Sequence, residues 1–288
     1  MPSLVQYHPR SFCEFRYVYP VVSRRSGGLS IGVNLSPNRQ CNFSCVYCQV
    51  IAEEDQQKQI NKKSDFVDCI RVESELRQLI SMINDGSLFQ DHWFSRLSDE
   101  KRILKDIAFS GDGEPTLAAA FSDAIKCVTN IRKQLCDDSV KIVLITNGTM
   151  LHSKHIQNSL EIILENNGEI WTKLDAGTPE FFKKISRSSI KYEQILNNLK
   201  ELTKRIPIVI QSCFLSIDGQ SPNESEIKQY SQRLLSFHTN NIIRIQIYTA
   251  ARNTPENWAL PLSNEQLDSI ADTVRNITKL QVDTFYSS

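Results

Sequence analysis

Residues Gly28–Val50 read GLSIGVNLSPNRQCNFSCVYCQV. The first part, Gly28–Ser36, is an apolar, β-branched run that predicts a buried strand. The second part is a polar, turn-rich loop in which Cys41, Cys45 and Cys48 follow a C-x3-C-x2-C spacing. A strand that runs into a loop of three thiols raises two questions: what sheet the strand joins, and what the thiols hold.

Outward from this strand, five more runs have the same character: Asp106–Gly111, Lys141–Gly148, Glu169–Gly177, Ile206–Leu215 and Asn241–Thr249. Apolar on both faces, they match strands of a parallel sheet covered by helices. Helical spacing appears between them at Leu76, Leu79, Ile80 and Ile83, then at Phe121, Ile125, Val128, Ile131 and Leu135, and later at Ile195, Leu199 and Leu202. Ser263 followed by Gln266 predicts a capping box that opens the last helix, and Leu280–Tyr286 predicts an edge strand. Glu53–Asp65 reads as a polar loop. Ser87–Lys105 reads as a long connection that carries His92 and Trp93 and contains a short helix. Alternating strands and helices predict an α/β fold. The alternation leaves open a doubly wound sheet or a full or partial barrel. In each of them the working face is the C-terminal ends of the strands.

The chain has 288 residues, 40% of them hydrophobic, enough for a substantial core. Lys+Arg and Asp+Glu both number 33, so the formal net charge is zero and gives no support to a broad electrostatic grip on nucleic acid. No apolar run is long enough to span a membrane, and the N-terminal MPSLVQYHPRSF lacks the plan of a secretory signal. A cytoplasmic location is expected. In that compartment eight cysteines imply metal-binding, catalytic or buried free thiols rather than disulfides. Cys13, Cys69, Cys127, Cys136 and Cys213 are scattered, with no second C-x2-C.

Three readings of the triplet compete. Free structural thiols follow strand or helix periodicity, which this loop lacks. Structural zinc takes four ligands, usually as two spaced pairs. An iron–sulfur cubane held by three thiolates leaves one iron open for a substrate or cofactor.

C-x3-C-x2-C after the first strand, with Tyr47 just before the last cysteine, resembles the signature of the radical S-adenosylmethionine (SAM) superfamily. FSGDGEPTL (Phe109–Leu117) at the next strand end is similar to that family's Gly-Gly-Glu-like turn. The resemblance spans Leu29 to Thr249 and implies a partial (β/α)6 TIM-like barrel as the core. It implies a [4Fe–4S] cluster on Cys41, Cys45 and Cys48, whose open iron binds the methionyl group of SAM. One-electron reduction would then release a 5′-deoxyadenosyl radical that takes hydrogen from a substrate the sequence does not identify. Carried over by position, the cofactor-binding set is Tyr47, Gly111, Asp112, Gly113, Glu114, Asn147, Asp175 and Gln246. Thr146 is a candidate beside Asn147, Tyr248 beside Gln246 on the substrate cavity, and Arg252 for a carboxylate or phosphate. Lys173 and Asp175 alternate along one strand and share a face; buried charges there need partners, so they either pair with each other as a salt bridge or, as is favoured here, face the ligand cavity. A one-electron donor of the flavodoxin or ferredoxin class is implied as a partner. The implied layout is an N-terminal arm over 1–28, the core over 29–250, and a C-terminal helix and edge strand over 251–288 packed on the core.

Within the superfamily the loop and the Gly-Asp-Gly-Glu turn are most similar to the wyosine-tRNA-synthetase-like radical SAM proteins. A tRNA-base-modifying enzyme is therefore one alternative, with tRNA as the partner. The N-terminal stretch offers only Cys13 for the second cluster those enzymes carry. It is basic and aromatic (Tyr7, His8, Arg10, Arg16, Tyr17, Tyr19, Arg24, Arg25), fitting either an ordered arm or an RNA contact. The alternative of another class is a non-catalytic zinc or iron–sulfur binding module, which needs neither the Gly-Asp-Gly-Glu turn nor the six strands.

Overall fold

The computed structural model describes residues 12–50 and 67–287. Tyr7, His8, Arg10 and the polar loop expected over Glu53–Asp65 lie outside them. Residues 12–40, 67–145 and 154–170 pack into one compact unit, and residues 41–50, 146–153 and 171–287 into a second.

In the first unit, β1 (Val18–Ser23) runs antiparallel to β2 (Gly28–Val33). Helices α1 (Cys69–Asn84) and α2 (Asp99–Arg102) follow, then β3 (Leu104–Phe109), α3 (Phe121–Leu135), β4 (Lys141–Thr146) and α4 (Lys154–Glu165). The strand order is β1-β2-β3-β4, with β2, β3 and β4 parallel. Every residue of β2 is buried, as a strand covered on both faces should be. α1 starts where Asp68 accepts hydrogen bonds from the Ile70 and Arg71 amides. Its residues Leu76, Leu79 and Ile80 face the core as their spacing predicts. The connection over 87–105 holds two 3-10 turns, Ser87–Gln90 and Phe94–Arg96, besides α2.

β1 departs from the parallel pattern and was not among the strands expected from the sequence. It embeds Pro20 in a basic, aromatic stretch, and an edge position is where a strand tolerates proline. Glu75, buried on α1, holds its start. The Glu75 carboxylate accepts from the amides of Arg16 (2.9 Å), Tyr17 (2.8 Å) and Val18 (3.2 Å).

The second unit continues with the end of β5 (Glu169–Lys173), α5 (Pro179–Ser186), α6 (Tyr192–Thr203), β6 (Ile208–Cys213), β7 (Leu215–Ile217) and α7 (Glu224–Leu235). It closes with β8 (Ile242–Tyr248), β9 (Ala259–Pro261), α8 (Asn264–Thr278) and β10 (Val282–Phe285). Strands β5-β6-β8-β10 lie side by side, all parallel, while β7 and β9 pair separately and antiparallel. The capping box at Ser263 and Gln266 is formed in both directions, and β10 is the expected edge strand. Among the described residues no helix is long and apolar enough to cross a membrane.

All six predicted strands stop short of their predicted ends. β2 ends at Val33 rather than Ser36, β3 at Phe109, β4 at Thr146, β5 at Lys173, β6 at Cys213 and β8 at Tyr248. Just beyond these ends the Asn34, Ser110 and Leu174 amides still donate to backbone carbonyls, while side chains accept from the amides of Ser36, Gly148 and Gly177. Asn34 Oδ1, for example, accepts from the Ser36 amide at 3.0 Å. These strand-end segments carry most of the candidate residues.

Candidate cluster loop and cofactor site

The cysteine loop is fixed to the second unit by two apolar anchors. Val46 is fully buried in a cluster with Ile185, Cys213, Leu215, Ile217 and Ala259. Phe43 sets its ring edge-on to Phe182 of α5, centroids 5.6 Å apart. Each anchor contributes on the order of 2 kcal/mol of burial. The backbone is tied as well: the Ser44 and Val46 amides donate to the Ser186 and Ile185 carbonyls, both at 2.9 Å. Those carbonyls belong to the last turn of α5, which has no intrahelical donors left for them. Between the anchors the thiols differ: Cys41 is exposed, Cys48 half-buried and Cys45 buried.

Burial pushes the Cys45 thiol up to about 11, against the opposing pull of the Lys173 ammonium. Cys41 Sγ accepts from the Phe43 amide at 3.4 Å, and Asn147 Nδ2 lies 4.0 Å from it. Donors aimed at sulfur suit a thiolate.

Asn147 binds its loop to the cysteine loop. Its Nδ2 donates to Asn42 Oδ1 at 2.7 Å, its Oδ1 accepts from Thr149, and Asn42 Nδ2 donates to Thr149 Oγ1 at 3.0 Å. From below, Asn198 of α6 holds the Gly148 and Thr149 carbonyls. Thr146 is buried and its hydroxyl accepts from the Gly148 amide.

Lys173, Tyr47 and Asp175 form a closed triangle. Tyr47 donates to Asp175 Oδ2 at 2.5 Å, Lys173 donates to the Tyr47 hydroxyl, and Lys173 Nζ lies 3.6 Å from Asp175 Oδ2. The other carboxylate oxygen accepts from the Cys213 amide at 2.8 Å. Burial opposes the charge on Lys173, yet its acidic neighbours, Cys45 and Asp175 first, hold the ammonium well above the usual lysine range. Burial and Asp175 raise the Tyr47 phenol well above its own, so it remains a donor. Lys173 and Asp175 thus turn the same way, as their alternation predicts, and engage each other.

One step across the sheet, Lys173 pairs in register with Gln211, Gln211 with Gln246 and Gln246 with Asp283. This polar row crosses four parallel strands whose neighbours are mostly apolar. Gln211 donates to Gln246 Oε1 at 2.7 Å, and Gln246 Nε2, fully buried, has no hydrogen-bond partner among the described residues. Cys213 is core.

In the first unit the Gly-Asp-Gly-Glu turn folds over Asn34–Gln40. A Cβ at Gly111 would stand 2.6 Å from Asn34, and one at Gly113 would stand 2.2 Å from the Gln40 carbonyl oxygen. Asn34 Nδ2 donates to the Asp112 carboxylate at 2.8 Å and the Glu114 amide to the Gln40 carbonyl at 2.9 Å. Glu114 is buried, its Oε1 accepting from the Thr116 hydroxyl at 2.6 Å. Ser36 Oγ, buried beside Gly113, has no hydrogen-bond partner among the described residues.

The sequence did not single out Asn34, Asn42 or Asn198. A polar residue just past a strand, or within a loop, is an ordinary turn former. Only burial distinguishes Asn34, 2% exposed, from that default.

An α/β scaffold with parallel strands, carrying chemistry-bearing residues just past the strand ends, is the plan of an α/β enzyme core. The family model of the Radical SAM superfamily matches residues 35–234, and the protein belongs to that superfamily. The expected α/β fold with a partial (β/α)6 barrel is the fold of its core, and a [4Fe–4S] cluster and SAM are its cofactors. The chain is 25% identical over 251 residues to a protein named GTPase Obg from Brachyspira hyodysenteriae, covering 86% of this chain and 32% of that one. It therefore spans about a third of that relative's length. A UPF0026 protein from Helicobacter pylori is 25% identical over 254 residues, 86% of this chain and 70% of its own. In fold, the chain is similar to the solved structure of TYW1 with a lysine-pyruvate adduct bound. The TM-score is 0.56 at 17% identity, covering 87% of this chain and 74% of that one.

The residues present fit these cofactors. The triplet supplies soft thiol donors only, which select iron–sulfur clusters. Among the described residues no three His, Cys, Asp or Glu side chains converge where one metal ion could sit. A cubane asks for a different arrangement, each thiolate meeting its own iron. In the first unit the close-packed Gly111 and Gly113 and the unsatisfied Ser36 Oγ, and separately in the second unit the unsatisfied Gln246 Nε2, are features that a polar ligand would complete.

Proposed function

We propose that Cys41, Cys45 and Cys48 hold the [4Fe–4S] cluster and that the protein uses it to cleave SAM reductively and take hydrogen from a substrate. The observation that carries this reading is the cysteine loop itself. Its apolar residues face inward, and Tyr47, between two of the thiols, is tied to Lys173 and Asp175. When bound, the cluster supplies the single electron that breaks a carbon–sulfur bond of SAM.

The chain's own residues position and exclude. The α5 carbonyls and Phe43 fix the loop, and Asn147 and Asn42 brace it on the Cys41 side. The triangle of Lys173, Tyr47 and Asp175 keeps the Tyr47 ring in one place, and in this reading Asp175 and Gln246 face the bound nucleoside or the substrate. Gly111–Glu114 receive the methionyl amino group, with Ser36 as a hydroxyl donor beside them. A one-electron carrier of the flavodoxin or ferredoxin class delivers the electron. Holding SAM and substrate in line, away from water, is the protein's share of the catalysis.

Protein purified without oxygen should be brown, carry about four irons, and release 5′-deoxyadenosine from SAM when dithionite is added. Cys45→Ala should lose the iron. Colourless protein with stoichiometric zinc, or a Cys45→Ala variant that keeps its iron and still cleaves SAM, overturns the reading.

A further inference from the structure

We infer that Arg187, with Glu256 and Trp258, is a clasp that fixes the cysteine loop through the end of α5, and so positions the cluster. This inference rests on the cysteine assignment proposed above.

The loop's backbone bonds go to Ile185 and Ser186, the last two residues of α5. Arg187 is the next residue and caps the helix, its amide donating to the Lys183 carbonyl at 3.2 Å. It does so at a φ of +45°, in the left-handed region where helices usually place glycine. An arginine there gives up the easier backbone, and its side chain shows what replaces it. Arg187 Nη1 lies 2.6 Å from Glu256 Oε1, and its guanidinium stacks over the Trp258 ring, 5.4 Å from the centroid. The second carboxylate oxygen of Glu256 accepts from the Trp258 indole at 2.9 Å. Trp258 packs on the apolar cluster that contains Val46. On the far side of the last cysteine, Gln49 donates to the Asn253 carbonyl at 3.3 Å.

The segment after β8 therefore reaches the cysteine loop at both ends: through Arg187 and α5 at Ser44 and Val46, and directly at Gln49. Asn253, Glu256 and Trp258 lie beyond residues 35–234, which the superfamily model matches. Arg187 and Glu256 touch neither cofactor in this account; both are positioning residues.

The backbone at Arg187 gives a clean test, because Arg187→Gly removes the clasp and relieves the left-handed cap together. The metal-free variant should unfold at about the parent's temperature, since the gain in φ freedom offsets the lost ion pair. Reconstituted anaerobically, Arg187→Gly and Glu256→Gln should each release iron to a ferrous chelator about threefold faster than the parent, as fits a half-exposed ion pair. Both should shift the electron-paramagnetic-resonance g-values of the dithionite-reduced cluster. The double variant should be no faster than either single, because both remove the same couple. Parent-like iron release and spectra in both variants overturn the clasp, as does a melting loss without either change. If the clasp fails while Cys45→Ala still loses its iron, the cysteine assignment stands. A parent that takes up no iron removes both.

Discussion

Lys173 Nζ stands 3.6 Å from Asp175 Oδ2, with the side chains 19% and 2% exposed. A cation so little exposed is stable only beside its counter-charge, and Tyr47 from the cysteine loop is seated on both. The pair is at once part of the core and the seat of the loop.

Asp175→Asn should therefore cost far more than a surface ion pair would. It leaves the buried ammonium with its main carboxylate gone, a change worth about 3 kcal/mol. Urea unfolding of the metal-free protein measures it. Adding Lys173→Met to the same chain should recover most of the loss, because the orphaned charge is then absent. Equal losses in the single and double variants would show that the charge pair is not what Asp175 supports.

At the Gly-Asp-Gly-Glu turn the prediction is steric. A methyl at Gly113 would sit 2.2 Å from the Gln40 carbonyl oxygen and 2.6 Å from Ser36 Cβ, and the first of these is backbone that cannot swing away. Gly113→Ala should cost about 2 kcal/mol and abolish SAM retention in equilibrium dialysis of the reconstituted protein. Asp112→Asn, which keeps the turn and the contact with Asn34, should retain SAM far better. SAM bound equally by Gly113→Ala and the parent would remove the turn from the cofactor site.

The cysteine loop and the seven parallel strands, β10 included, were legible because both are written locally, one as a spacing and the others as short apolar runs. β1 was not, since Val18–Ser23 mixes tyrosine and proline within a basic stretch and becomes a strand only by pairing with β2. β7 and β9 have three residues each, too short for any period. Asn34, Asn42 and Arg187 were invisible for a related reason. An asparagine after a strand or an arginine after a helix is ordinary in sequence, and takes on a role only through what the fold brings to it.

Asp106 sets a pH dependence. It is buried on β3, and burial raises its carboxyl above the usual aspartate range, opposed by hydrogen bonds from Ser26 and Ser30 and by Arg25. A raised folded value means that the native state binds the proton more tightly than the unfolded chain does. Stability is then fully present below the ordinary value of about 4 and declines as pH rises through the folded value. Asp106→Asn removes that decline. Metal-free Asp106→Asn should melt higher than the parent at neutral pH, with the gap closing towards pH of about 4. A gap that widens on acidification contradicts the assignment.

Glu75 gives the sharpest local prediction. Three successive amides, Arg16, Tyr17 and Val18, converge on one carboxylate that is 5% exposed, and Arg71 Nε adds a fourth donor at 2.7 Å. Arg71 is half exposed, so its share is small. The amides matter more, because each is a hydrogen bond to a charged group. Glu75→Gln keeps the volume but turns an amide group towards those donors, so at least one backbone N–H loses its acceptor. The expected cost is about 2–3 kcal/mol. It should be local. Hydrogen exchange at Tyr17 and Val18 should accelerate well before exchange in β3, because β1 is an edge strand that can peel from β2 while the parallel strands stay closed. Equal acceleration in β1 and β3 would mean that Glu75 supports the whole unit rather than its first strand.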